Sequence, residues 1–167
     1  MTKFTLPKDT TIELDDATYE KITTALGGKP AKNWRAEKGR GYWCVSHNGY
    51  VEKPNEESDT WDNFRYTTGN YFRTKEEAEK YKEYLLAVGT VTHAINDLNG
   101  DWEADWNDNN EFKCLIYYYY ADKKFYTCGY SRGQRLLNLP SCKSQQTAQT
   151  IIDIYPKELE IIREYKK

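Results

Sequence analysis

The stretch FKCLIYYYYADKKFYTCGY, residues 112–130, decides the fold class of this chain. Nearly every position in residues 112–120 is apolar or aromatic, and such residues fit the pleated surface of a β-sheet. The charged residues 122–124 predict a turn, so residues 125–130 are expected to return as an antiparallel strand. A strand this apolar predicts one of two arrangements: both of its faces are covered, or one face presents tyrosines to a ligand.

A second hairpin is predicted earlier in the chain. Residues 42–45 and 50–51 are its apolar arms, and the loop between them ends in Asn48-Gly49, the strongest short hairpin signal. Residues 61–72 continue the aromatic pattern and are predicted to form further strand. Residues 135–142 predict another short strand after the later hairpin.

A long helix is predicted between the two strand regions. Thr74 and Glu77 form a capping box, in which the hydroxyl accepts from the Glu77 amide and the carboxylate accepts from the Thr74 amide. The helix should run to about Leu98, and Gly89 is the position that favours an interruption. Its apolar residues lie near one face: Ala78, Tyr81, Leu85, Val88, Ile95 and Leu98.

Two further helices are predicted near the end of the sequence. Ser144 is a suitable N-cap for a helix that continues through Ile154. Pro156 is suited to the first turn of another helix over residues 157–166. Together these elements predict an α+β fold, with antiparallel aromatic-rich sheets and helices packed on one face.

The chain is expected to form one compact unit with three parts. Residues 1–33 predict an N-terminal strand or arm and a short helix. Residues 34–100 predict a first β-rich half with the capped helix, and residues 101–167 predict a second β-rich half with the C-terminal helices. An offset of 70 residues aligns the halves at several pairs: Cys44 with Cys114, Arg65 with Arg135, Thr74 with Ser144, and Ala78 with Ala148. Two related βββα halves and a chance similarity both stay open.

Charge and cysteine spacing argue against several classes of protein. The chain has 24 basic and 26 acidic residues, a net charge of −2, whereas sequence-independent nucleic-acid binders are strongly basic. A local basic patch stays open as an alternative. The polar N-terminus lacks a signal-peptide core and no apolar run matches a membrane span, so a cytoplasmic location is expected. The four cysteines contain no CxxC pair, which favours reduced thiols without a bound metal. No cofactor is expected.

The densest polar cluster is DWEADWND, residues 101–108. Its alternating acids resemble a calcium loop, but Trp106 takes the place of the required glycine. The favoured interpretation is a partner-binding surface shared with the acids of an earlier loop. The candidate residues are Trp102, Asp101, Asp105, Trp106, Asp108, Glu56, Glu57 and Asp59. Two alternatives remain: the tryptophans simply cover a sheet edge, or Asp101, Glu103 and Asp105 serve a metal-dependent nuclease.

A nucleic-acid surface is the other candidate site. Tyr117 and Tyr119 would stack bases, and Arg132 and Arg135 would hold phosphates. A core strand is the favoured interpretation of these tyrosines, with the stacking surface as the alternative. The sequence has no G-x-S-x-G elbow and no glycine-rich phosphate loop, so no catalytic residues are predicted.

Three segments carry a resemblance to known proteins: WDNFRY at residues 61–66, GNYFRTKEEAE at residues 69–79 and NGDWEADW at residues 99–106. They resemble segments of small proteins encoded by phages and prophages of Gram-positive bacteria. The resemblance covers about residues 34–160 and implies a genomic context rather than a chemistry. Small acidic phage accessory proteins commonly act by binding a host component, and anti-CRISPR proteins are a prominent class among them.

The expected function is therefore to bind and inhibit a host or defence protein, such as a CRISPR nuclease or another nucleic-acid enzyme, without catalysis. An excess of Tyr and Trp suits protein interfaces, and surface acids suit a basic nucleic-acid channel. The chain is expected to act as a monomer or homodimer. A nucleic-acid or nucleotide-binding module and a metal-dependent nuclease are the alternatives.

Overall fold

The computed structural model describes Thr18, Ile22 and residues 34–130 and 139–165. Over these residues the α+β class predicted from the sequence is confirmed. The elements in chain order are β1 (Cys44–Val45), β2 (Val51–Glu52), α1 (Thr60–Thr68), α2 (Lys75–Asn99), β3 (Lys113–Tyr119), β4 (Lys124–Tyr130), α3 (Gln145–Ile154) and α4 (Pro156–Glu164). Thr18 and Ile22 are helical and fall within the first helix expected from the sequence. Most of that helix, the N-terminal arm and the start of the strand expected over residues 135–142 lie outside the described residues.

The chain divides into two compact units, Met1–Ala78 and Glu79–Lys167. The division falls in the first turn of α2. The sequence places a boundary at residue 100, where the same helix ends. Among the residues that the structure describes, each unit contains one antiparallel hairpin: β1 pairs with β2 in the first, and β3 pairs with β4 in the second.

The β1–β2 hairpin forms as predicted from Asn48-Gly49. The Ser46 amide donates to the Tyr50 carbonyl over 2.8 Å, and Gly49 lies in the left-handed region with φ of 80°. On the other side of β1, Trp43 and Phe72 exchange two backbone hydrogen bonds of 2.8 Å. Phe72 thus pairs beside the hairpin through a single β-bridge and not through a full third strand.

The strand predicted over residues 61–72 is wrong, because its first part is the helix α1. Asp59 accepts from the Asp62 amide and the Asp62 carboxylate accepts from the Asp59 amide, a capping box at the start of the helix. Gly69 ends the helix in the left-handed conformation. The caps at both ends of the helix provide hydrogen-bond partners for its terminal backbone groups. This local stabilisation outweighs the preference of aromatic residues for strands.

The helix α2 begins as predicted: the Glu77 amide donates to the Thr74 hydroxyl over 3.2 Å, and the Glu77 carboxylate accepts from the Thr74 amide. The expected interruption near Gly89 is wrong, since the helix continues without a break for 25 residues. Its buried stripe also differs from the predicted face. Leu85 and Leu98 are exposed, while the buried apolar residues are Ala78, Ala87, Val91 and Ile95. Both stripes have helical periodicity, and only the contacts with the rest of the unit select one of them.

In the described part of the chain, the second unit has the larger apolar core. One face of the β3–β4 hairpin contributes Cys114, Ile116 and Phe125 to it. Its buried members are Val91, Ile95, Cys114, Cys142, Ala148, Ile151 and Leu159. The predicted caps at this end are confirmed, because the Ser144 hydroxyl accepts from the Thr147 amide over 3.0 Å and Pro156 opens α4.

The two units repeat one local arrangement. Cys114 at the start of β3 exchanges backbone hydrogen bonds of 2.9 and 2.8 Å with Cys142, as Trp43 does with Phe72. Phe72 and Cys142 are separated by the same 70 residues as the caps Thr74 and Ser144. Each bridge is followed two residues later by a hydroxyl cap and then by a helix, α2 after Thr74 and α3 after Ser144.

Candidate functional site

Glu56, predicted to be a surface acid, is buried in the first unit with 1% of its surface exposed. Arg35 donates to both carboxylate oxygens over 3.0 and 2.9 Å, and the Tyr71 hydroxyl donates over 2.6 Å. The Ser58 amide adds a bond of 2.8 Å. The hydrogen bonds from Arg35 are the main cause that lowers the pKa of Glu56 to about 2. The assignment of Glu56 to a partner surface is therefore wrong, because its charge is neutralised inside the fold.

A second carboxylate, Asp62, is buried beside this ion pair. The Tyr42 hydroxyl donates to it over 2.6 Å, and the Glu57 amide donates over 2.7 Å. The rings of Tyr42 and Tyr71 stack at 3.8 Å, so the two carboxylates belong to one network. Burial is the main cause that raises the pKa of both phenols, which keeps them as neutral hydrogen-bond donors. The network fastens the inner side of α1 to the hairpin.

The outer side of α1 presents two large aromatic side chains. Trp61 is 68% exposed and Phe64 is 60% exposed, and their spacing of three places them on the same face of the helix. The other exposed residues of the helix are uncharged: Thr60, Asn63, Thr67 and Thr68. We call these six residues the α1 surface. The acids Glu57 and Asp59 are exposed immediately before the helix and form its acidic rim.

Sequence reasoning missed the α1 surface because a strand was expected there. In a strand, Trp61 and Phe64 would point to opposite faces, whereas a helix turns both outward. The signals that identify the helix are Asp59 and Asp62 at capping-box spacing, followed by Gly69 at the C-terminal end.

The acidic loop, residues 101–111, is organised around Glu111. Its carboxylate accepts from the Trp102 indole over 3.1 Å and from the Asp105 amide over 2.8 Å. The ammonium group of Lys113 forms an ion pair with it at 2.9 Å and lies 5.7 Å from the Trp106 ring centre. Both tryptophans are thus half-buried in contacts within the loop.

The carboxylates of the acidic loop face solvent: Asp101, Glu103, Asp105 and Asp108. Asp105 accepts from the Asn107 amide and Asp108 accepts from the Asn110 amide, so two of them also shape the loop. Among the described residues, no group of three or more His, Cys, Asp and Glu side chains is arranged to hold a metal ion. The predicted partner residues therefore belong to different units: Glu57 and Asp59 to the first, and the loop acids to the second.

The predicted nucleic-acid residues of β3 lie on the face opposite the core. The register pairs Tyr117 with Tyr126 and Tyr119 with Lys124. Tyr119 is 50% exposed and Tyr126 is 36% exposed, so the interpretation of Tyr119 as a core residue is wrong. We call Tyr117, Tyr119 and Tyr126 the tyrosine face. Arg132 and Arg135 lie outside the described residues.

The cysteines of the chain are free thiols. Cys44, Cys114 and Cys142 are buried, and burial raises the pKa of Cys44 to about 11 and that of Cys142 to about 12. Thiols with a raised pKa are poor nucleophiles at neutral pH. The structure therefore uses these three side chains for packing.

No protein-family model matches the chain, and neither do curated proteins or solved structures. In the part of the chain that the structure describes, no helix is long and apolar enough to cross a membrane.

Proposed function

We propose that this chain is a non-catalytic binding protein of phage or prophage origin that docks on a host or defence protein and inhibits it. The observation that carries the proposal is the α1 surface, where two aromatic side chains are mostly exposed at the centre of an uncharged patch. Protein interfaces have this composition, with aromatic residues enriched and charges depleted at the core and polar residues at the rim.

The short length of α1 favours a complex in which its aromatic side chains insert into the partner over one in which two flat surfaces meet. A helix of nine residues is about 14 Å long and offers too little area for a stable interface by itself. Trp61 and Phe64 would instead fill an apolar groove of the partner, as helix-in-groove complexes do with side chains three or four residues apart. Such buried aromatic anchors usually supply most of the binding energy.

Charge indicates the chemistry of the partner. Glu57 and Asp59 border the α1 surface, and the acidic loop adds four exposed carboxylates in the other unit. A partner with a basic surface would attract both, and nucleic-acid enzymes have such surfaces for binding phosphates. The nuclease of a CRISPR system fits this description, which agrees with the resemblance of residues 34–160 to phage proteins.

The double variant Trp61→Ala/Phe64→Ala is expected to weaken binding of the partner at least about thirtyfold, because each anchor leaves an apolar pocket unfilled. The matched control is Tyr50→Ala, since Tyr50 belongs to the same unit and has the same 68% exposure as Trp61. The measurement is affinity purification of the tagged chain from host cells with mass spectrometry, followed by titration of the purified partner.

Two results would contradict the proposal. One is the absence of a stoichiometric protein partner at physiological salt. The other is a partner that binds the double variant as tightly as the wild-type chain and that keeps its own activity when bound.

Neutralising the acidic loop is expected to lower the rate of association with the partner about tenfold at low salt. The variant carries Asp101→Asn, Glu103→Gln, Asp105→Asn and Asp108→Asn. The asparagines keep the side-chain oxygens that accept the Asn107 and Asn110 amides, so the loop shape is preserved. The control removes four acids from α2: Glu76→Gln, Glu79→Gln, Glu83→Gln and Asp97→Asn. Stopped-flow or surface plasmon resonance measurements at several salt concentrations provide the test, and equal rate losses for both sets would show that net charge alone is responsible.

A further inference from the structure

We propose that the tyrosine face binds single-stranded nucleic acid by stacking its bases on Tyr117, Tyr119 and Tyr126. This inference is independent of the proposed function, because it concerns β3 and β4 and needs no contribution from α1.

The register of the hairpin assigns its side chains to two faces, one packed on the core and one pointing away from it. Ile116 and Phe125 point to the core of the unit, and the tyrosine face points away from it. Along this face burial decreases toward the turn: Leu115 is 4% exposed, whereas Tyr119 is 50% exposed. The open end of the sheet therefore consists of aromatic rings and not of aliphatic side chains.

The three rings lie next to one another, with one near-parallel contact and one edge-to-face contact between them. Tyr117 and Tyr126 lie 6.0 Å apart with an angle of 30° between their planes, and Tyr119 lies 6.3 Å from Tyr126 with its plane at 77° to that ring. Tyr117 and Tyr119 are two positions apart on one strand, which separates their backbones by about 7 Å. The hydroxyl of Tyr126 donates to Asp122 over 2.7 Å, which restrains the orientation of that ring. Flat rings at such intervals stack on bases without regard to sequence.

Two lysine side chains lie next to the tyrosine face at the turn between β3 and β4. Lys124 is directly opposite Tyr119 in the register, and Lys123 is exposed in the adjoining turn. The carboxylate of this turn, Asp122, is hydrogen-bonded to Tyr126. Two ammonium groups beside a row of rings complement the alternation of bases and phosphates in a single strand. A protein partner would not require this pairing of rings with cations.

The test uses labelled single-stranded oligothymidylate and oligouridylate of about eight nucleotides, within the site sizes typical of stacking surfaces. Fluorescence anisotropy should show binding. The logarithm of the association constant should fall with the logarithm of the salt concentration at a slope of about −1.4, which corresponds to two neutralised phosphates. Tyr119→Ala and Tyr126→Ala should each weaken binding about fivefold to a hundredfold. Lys124→Gln should reduce the slope by about 0.7.

Two controls separate stacking from general loss of structure. Tyr120→Ala removes a tyrosine that is 73% exposed and contacts Tyr118, on the opposite side of the hairpin, and should leave binding unchanged. Tyr119→Phe keeps the ring and should bind like the wild-type chain. Thermal unfolding of each variant checks that the hairpin remains folded.

Several outcomes would overturn the proposal. They are flat titrations with every oligonucleotide, equal losses for Tyr120→Ala and Tyr119→Ala, and mononucleotides that bind as tightly as oligonucleotides. Loss of a protein partner on Tyr119→Ala, with no oligonucleotide binding by the wild-type chain, would assign the face to a protein interface instead.

Discussion

Replacing Glu56 with alanine is expected to lower the free energy of unfolding by at most about 3–5 kcal/mol, the cost of removing one partner of a buried ion pair, because the Arg35 side chain is 32% exposed and stays partly hydrated. The substitution removes both bonds from Arg35 and leaves the Tyr71 hydroxyl without its acceptor. Urea unfolding followed by circular dichroism measures the effect. The adjacent Glu57→Ala is the control, because the exposed Glu57 side chain should contribute within about 0.5 kcal/mol. Similar small losses for both variants would show that the ion pair does not stabilise the unit.

The same carboxylate gives this stability a pH dependence of known sign. The pKa of Glu56 is about 2 in the fold, below its ordinary value of 4.5, so the ionised form is the stabilising one. The contribution is complete above about pH 4.5 and is lost as pH falls through 2. The wild-type chain should therefore exceed Glu56→Gln by about 3 kcal/mol at neutral pH, and the difference should close toward pH 2. A difference that stays constant over this range would contradict the assignment.

Replacing Ile151 with alanine is expected to lower the free energy of unfolding by about 2–5 kcal/mol. Ile151 is fully buried in the core of the second unit, where it packs in one cluster with Ile95 and Leu159. Truncation removes apolar contacts and leaves a cavity that the neighbouring side chains fill only in part. The measurement is again urea unfolding, with the midpoint and the slope fitted separately.

The helix α3 provides a matched control for this substitution. Ile154 is three residues from Ile151 and is 61% exposed, so Ile154→Ala loses the same atoms from a mostly hydrated position. Its effect should stay within about 0.5 kcal/mol. If both variants lost equal stability, the burial of Ile151 could not be the cause.

Predictions from local patterns were the accurate ones. The Asn48-Gly49 hairpin, the Thr74 capping box and the Ser144 cap are confirmed, because each depends on hydrogen bonds between residues two to four positions apart. The return of the chain from β3 to β4 is also confirmed. The error at α1 arose where two local signals competed, since aromatic side chains favour strands and the capping box of Asp59 favours a helix.

Predictions about the candidate site were weaker because they required knowledge of burial. The sequence cannot distinguish Glu56 from Glu57, yet one is enclosed by Arg35 and the other is exposed. It also cannot show that Trp102 is engaged with Glu111 nine residues later. Exposure depends on partners that are distant along the chain, and no periodic pattern encodes them.

By itself the sequence determined the α+β class, the two hairpins and most helix termini, because propensities, turns and caps act over a few residues. Only the tertiary structure decided which side chains face water. Arg35 reaches Glu56 across 21 residues, and Tyr42 reaches Asp62 across 20. Those long-range contacts fasten one side of α1 and turn Trp61 and Phe64 outward. The surface on which the proposed function depends therefore arises from packing between distant segments.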